Sequence, residues 1–340
     1  MARLYLAGPL RAFADRTQWA EDALERGEAL LLRGLWNASG AMTPDRASEL
    51  GRQLLTWLGP RMRQHRKLKR NLGTAFPGWS DDRLETTARD SWGQFGRVLA
   101  EYPHLEAICR QGAGERIELV THLDLEPVQR GERPCVFVSA HLGNWELAGA
   151  MGMRAGVPLS VIYSPQKNPA IDAELQRRRQ ALGCEFIDKT SKATVLVGAL
   201  RRGRSLGIVI DQRFDESDSV PFFEHDAPAP IAPATLAARL GVPFVPVRVE
   251  RLDPGCRFRI TVEAPIEPDP AAGDAREIAR DMTARAYARF EAWIRERPAQ
   301  WLCTKRRWPD LSRRKWQEKL ARNPRLVRSA ADHEVAGTRG

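Results

Sequence analysis

Long apolar runs are missing from this sequence. No stretch approaches the roughly 20 apolar residues that a membrane-crossing helix requires. The closest, "ALLLRGLW" (29–36), is short and holds Arg33. A cleavable secretion signal is not expected either, because Asp15, Glu21 and Asp22 fall where its apolar segment would run. Cysteine is sparse: five residues, an odd number, widely scattered (Cys109, Cys135, Cys184, Cys256, Cys303) and without a C-x-x-C pair. That pattern speaks against a disulfide frame and against zinc ligation, so reduced thiols, no metal and a cytoplasmic chain are expected. Internal repeats and low-complexity blocks are also absent. Acidic side chains are the minority, 43 against 53 Lys+Arg, leaving a net charge of +10. This balance favours an anionic partner: nucleic acid, an anionic membrane surface, or an acidic carrier.

What is present divides at about residue 115. Residues 1–115 read as helical, a membrane-associating region in which "SELGRQLLTWLGPRM" sets Leu50, Leu54, Leu55 and Leu58 at helical spacing. A basic run, "RMRQHRKLKR" (61–70), follows, and Ser80 is a plausible N-cap for the next helix. Residues 116–310 alternate short apolar runs with helical patterns. Strands are expected at Ile117–Val120, Cys135–Ala140, Leu159–Tyr163, Cys184–Ile187, Leu206–Asp211, Phe244–Val249 and Phe258–Val262. Helices are expected at Trp145–Met153, Ala170–Ala181, Lys192–Arg202 and Pro233–Leu240, with a long one over 275–298. The fold class is therefore α/β: a mainly parallel or mixed sheet covered by helices on both faces. Residues 311–340 form a basic, polar tail.

"CVFVSAHLGNWELAGA" (135–150) carries the chemistry. An apolar strand stops at His141, Gly143 permits a tight turn, and Glu146 enters the first turn of a helix. In open α/β sheets, sites collect at the carboxyl ends of strands. There, Glu146 could fix the imidazole of His141 by a hydrogen bond, leaving the other ring nitrogen as a general base. Spacing alone also allows a packed histidine and a carboxylate that only answers the helix dipole.

The surrounding motifs decide between these. "SAHLGNWE" resembles the H-x4-acid motif of the lysophospholipid acyltransferase superfamily, in the H-F/L-G-N-W-E form of the lipid A biosynthesis late acyltransferases. "LKRNLGTAFPGWSDDRLETTARDSW", "IYSPQKNPAIDAELQRRRQALGCEFID", "LRRGRSLGIVIDQ" and "ARLGVPFVPVRVER" are similar to further blocks of that family, in its order. "RERPAQWLCTKRRWP" resembles its terminal P-E-Q-Y-x-W-x-H-x-R-F/W-K. The likeness covers roughly residues 66 to 309. It implies a glycerolipid acyltransferase-like fold and transfer of a fatty acyl chain from acyl carrier protein to a hydroxyl of a lipid A precursor. The implied place is the cytoplasmic face of the inner membrane, with peripheral or weak anchoring. The implied catalytic pair is His141 and Glu146, without metal, cofactor or covalent acyl-enzyme. Two departures stand out: "ALLLRGLW" is shorter than the family's apolar anchor, and Cys303 and Lys305 replace its usual tryptophan and histidine.

Other residues complete the expected site. Asn144 lies inside the motif. Lys167, Asn168 and Arg178 belong to a block that the family links to phosphate or acyl-donor contacts, and guanidinium suits phosphate through bidentate bonds. Of Arg177, Arg178 and Arg179, about 100° apart on a helix, only one or two can face a crevice, and Arg178 is preferred. Asp211 and Gln212 end a strand and are expected to orient substrate. "GRSLG" (203–207) matches G-x-S-x-G but has helix before and strand after, the reverse of a nucleophile elbow, so Ser205 reads as a loop residue. A non-enzymatic basic protein on membrane or nucleic acid is the rival from another class. The run 61–70 lacks interleaved aromatics, so it suits an anionic membrane better, and no nucleic acid is expected. The same chemistry on a lysophospholipid or amino-acid lipid is the rival acceptor.

Overall fold

The computed structural model describes residues 18–308, apart from 111, 113, 114, 214–217 and 254. The tail expected at 311–340 lies outside the described residues.

Among the described residues, five α-helices precede the first strand: α1 (Gln18–Gly40), α2 (Pro44–Leu58), α3 (Arg63–Ala75), α4 (Asp81–Glu101) and α5 (Leu105–Cys109). Ser80 caps α4 as expected, accepting from the Arg83 N–H. Helices α2 and α4 touch backbone to backbone. A methyl added at Gly51 would lie 2.3 Å from the Gly96 carbonyl oxygen, and one at Gly96 2.0 Å from that of Gly51. "ALLLRGLW" falls within α1, and among the described residues no helix is long and apolar enough to cross a membrane.

Next come β1 (Ile117–Thr121), α6 (Glu126–Gln129), β2 (Val136–Ser139), α7 (Glu146–Arg154), β3 (Leu159–Tyr163), α8 (Pro169–Arg179), β4 (Glu185–Asp188), α9 (Ala193–Arg201) and β5 (Ser205–Val209). They are followed by β6 (Asp218–Phe222), β7 (His225–Ala229), α10 (Ala232–Leu240), β8 (Phe244–Leu252), β9 (Arg257–Val262) and α11 (Ala275–Glu296). A seven-stranded sheet has the order β1-β9-β8-β2-β5-β3-β4, parallel throughout except between β8 and β9. The expected α/β class holds. The hairpin β6–β7 has no counterpart in the sequence reading.

Apolar residues collect on both sheet faces. Val136, Val138 and Ala140 point to one side, with α3, α4, α10 and α11. Val245, Val247 and Val249 point to the other, with α1, α5, α7 and α8. Helices N-terminal to residue 115 thus share their cores with the sheet.

Candidate active site

Strands β2 and β5 are neighbours, and their register builds the site. Ser139 lies opposite Val209, and the Ile210 N–H donates to the Ser139 carbonyl at 3.0 Å. Two residues further along each strand come His141 and Asp211. The His141 Nδ1 and Asp211 Oδ1 are 2.5 Å apart, and Trp301 Nε1 donates to Asp211 Oδ2 at 2.9 Å. Burial of Asp211 would push its carboxyl up. The charge of His141 and hydrogen bonds from His141 and Trp301 outweigh this and hold it below the ordinary 3.8. An ionised Asp211 only accepts, so Nδ1 carries a proton, and in the neutral imidazole the lone pair is then on Nε2. The side-chain nitrogen of Gln212 sits 3.1 Å from that lone pair as a donor. The imidazole keeps 18% exposure while Asp211 has 1%, so the ring spans from interior to surface. Trp145 packs edge-on to it at 5.1 Å, and Phe95 stacks beyond Trp145.

The loop carrying His141 is fixed from two sides. Gly143 has φ +55°, and a Cβ there would lie 2.8 Å from the Val249 carbonyl oxygen, so only glycine fits. Residues 300–302 run alongside: Gly143 N–H donates to the Gln300 carbonyl at 3.2 Å and Leu302 N–H to the His141 carbonyl at 3.0 Å. Beneath, Asn144 Nδ2 donates to Glu101 Oε2 at 2.8 Å. Glu101 also accepts from Ser48 of α2 at 2.6 Å and pairs with Arg251, both ions being fully buried. Burial opposes ionisation of Glu101, but the charge and hydrogen bonds of Arg251 hold its carboxyl low. Asn144, expected at substrate, therefore faces inward as a loop anchor.

The hydrogen bond expected between His141 and Glu146 is not formed. Both Glu146 oxygens are taken by Arg179, at 2.8 and 2.7 Å, and Tyr102 adds a further hydrogen bond. Glu146 begins α7 and Arg179 ends α8, so the ion pair ties those helices beside the site. The carboxylate reaches the imidazole only through space. Of the three consecutive arginines, Arg179 turns toward the site, not Arg178. Arg178 pairs with Glu174 at 3.1 Å and lies over the Trp36 ring at 4.9 Å, joining α8 to α1. Asn168 is also structural. Its carbonyl oxygen caps α8 and its amide donates to the Glu25 carbonyl of α1 at 2.8 Å, at 5% exposure. Lys167 beside it is exposed.

Ser205 is not in a loop but opens β5, fully buried, with its hydroxyl accepting from the Cys135 N–H at 3.0 Å. All five cysteines are free. Burial pushes the thiols of Cys135, Cys184 and Cys256 up to about 12, which rules them out as thiolate nucleophiles at neutral pH. Trp301 is the residue that the sequence reading passed over. Its motif position was visible; its contact with Asp211 required the fold.

The chain is similar to known proteins over most of its length. Over 252 residues, 72% of the chain and 80% of the relative, it is 25% identical to the phosphatidylinositol mannoside acyltransferase of Mycolicibacterium smegmatis. Over 165 residues, 48% of the chain and 52% of the relative, it is 20% identical to a lipid A biosynthesis acyltransferase of Haemophilus influenzae. The profile of the bacterial lipid A biosynthesis acyltransferases matches residues 16–310, so the chain belongs to that family and is an acyltransferase acting on lipid.

Proposed function

We propose that this enzyme moves a fatty acyl group from acyl carrier protein to a hydroxyl of a lipid A precursor, at the cytoplasmic face of the inner membrane. His141 is the general base, and Asp211 takes the orienting role that sequence spacing suggested for Glu146. The observation carrying this reading is the imidazole's polarity: Nδ1 faces a buried carboxylate, and Nε2 faces outward. The acceptor hydroxyl replaces the Gln212 amide at Nε2. Its proton passes to His141 as its oxygen attacks the thioester carbonyl, and Asp211 stabilises the imidazolium. The tetrahedral intermediate collapses, the C–S bond breaks, and the thiolate leaves as thiol with the histidine's proton. Ester and free thiol are the balanced products. Gln212, displaced from Nε2, is in reach to donate to the developing oxyanion.

A second acceptor, a mannosylated phosphatidylinositol, is favoured by the longer match to the mycobacterial relative. Purified protein would be given acyl carrier protein thioester with each acceptor, and products weighed by mass spectrometry. One added acyl chain on the lipid A precursor, abolished in His141→Ala, supports the first reading. Acylation of the phosphatidylinositol mannoside alone supports the second. No ester on either, with soluble folded protein, overturns both.

A further inference from the structure

Of the eleven exposed large apolar side chains among the described residues, eight lie between Trp19 and Trp57. On α2 they form one stripe: Leu50, Leu54 and Trp57, at i, i+4 and i+7, are 50%, 47% and 60% exposed. Leu55, on the other side of the helix, is buried. A soluble domain rarely leaves such a stripe to water without a partner. The stripe runs directly into positive charge. The Arg61 guanidinium lies over the Trp57 ring at 4.2 Å. In α3, Arg63, Arg66, Lys67 and Arg70 occupy one exposed face at i, i+3, i+4 and i+7, while His65, Leu68 and Leu72 face inward. Arg63, Arg66 and Lys67 have no carboxylate partner among the described residues.

We propose that this α2–α3 face docks the enzyme on an anionic phospholipid bilayer. The apolar stripe enters the interfacial zone and the cations lie against lipid phosphates, as in a monotopic amphipathic helix. An acidic carrier protein would need the cations but not the adjoining leucines and tryptophan. The face is also geared to the chemistry. On the inner side of α2, Ser48 donates to Glu101, which accepts from Asn144 in the His141 loop. The Gly51–Gly96 contact leaves α2 no room to shift on α4. Docking therefore sets the height and tilt of His141 relative to the lipid surface. This rests on the acyltransfer reading only for its purpose; the binding itself does not.

The test is sedimentation of the full chain with vesicles of phosphatidylcholine alone and of phosphatidylcholine mixed with phosphatidylglycerol. Wild type should bind the mixed vesicles more tightly, and salt should weaken that binding. The triple variant Arg63→Gln, Arg66→Gln, Lys67→Gln should lose about a hundredfold in affinity for them, at about fivefold per cation. The pair Leu54→Ser, Trp57→Ser should weaken binding to both. These positions are exposed, so folding should be unchanged by circular dichroism. Acyl transfer to an acceptor dispersed in detergent should stay at the wild-type rate in both variants and fall only with acceptor in vesicles. Equal vesicle binding by wild type and both variants overturns the proposal. So does a triple variant that loses acyl carrier protein binding but keeps vesicle binding. Absence of transfer in every format sinks the acyltransfer reading alone, since vesicle binding still decides the docking.

Discussion

Two buried carboxylates stand beside His141, and the chain uses them differently. Asp211 comes from the neighbouring strand, seventy residues away, and grips the imidazole. Glu146, five positions on, opens the helix that follows the His141 loop and grips an arginine instead. Burial penalises ionisation of both, and in both a hydrogen-bonded neighbour overcomes it: His141 for Asp211, Arg179 for Glu146. The first pair can exchange a proton with a reacting group. The second cannot, because guanidinium stays protonated, so it acts as a clamp between α7 and α8. On the proposed mechanism, proximity in sequence marks the structural member and register across the sheet the chemical one.

Replacement of each carboxylate should break the comparison most sharply. Asp211→Asn keeps the shape but turns a donor toward His141 or Trp301, and kcat should fall about ten-thousandfold, with a loss of about 1–3 kcal/mol in thermal unfolding. A loss below tenfold in steady-state kinetics would move the orienting role elsewhere. Glu146→Gln strands a buried guanidinium and should cost about 3–5 kcal/mol in denaturant unfolding. Adding Arg179→Met should restore most of that stability, together with much of the activity. If the double variant is stable yet as inactive as Asp211→Asn, Glu146 does chemistry after all.

The remaining contrasts are smaller. Trp301→Phe leaves Asp211 Oδ2 without its donor, at about 1–3 kcal/mol, so kcat should drop about tenfold or more and the pH–rate profile should shift. An unchanged profile would reduce Trp301 to packing. Both carboxylates titrate below their ordinary values of 3.8 and 4.5 in the folded chain. Their stabilisation is therefore complete above about pH 5 and lost as pH falls through the folded values. Acid unfolding followed by circular dichroism should be less steep for the Glu146→Gln, Arg179→Met variant. Arg178→Ala, away from both pairs, should cost about 1 kcal/mol through its contacts with Glu174 and Trp36, and leave kcat alone.

Much of this was legible in the residues. The strand positions followed from apolar runs bounded by turn residues, and the ends of β2 and β5, read as the place for chemistry, do bring His141 and Asp211 together. What the chain could not disclose was which strands are neighbours. Without the β2–β5 pairing, Asp211 is a strand end among several and Glu146 the obvious partner. The hairpin β6–β7 stayed hidden because "DSVPF" and "HDAPA" carry proline, alanine and aspartate. Their strand conformation comes from packing of Val220, Phe222 and Ala227 into the core, not from local preference. The leucines of α2 share helical spacing, but the fold splits them: Leu55 goes inward, while Leu50 and Leu54 stay outside. Asn168 and Arg178 looked like ligand residues because polar side chains near a crevice do. Only the docking of α1 shows them already occupied.

The strip at 300–302 has a consequence for the order of events during synthesis. His141 and Asp211 are made long before Trp301 and Leu302, which donate to the Asp211 carboxylate and the His141 carbonyl. A nascent chain can pair β2 with β5 and still hold an imidazole whose loop is unpinned. The reactive geometry is thus completed only once residues 301 and 302 have been made, and a chain ending before residue 300 should fold much of its sheet while remaining chemically silent.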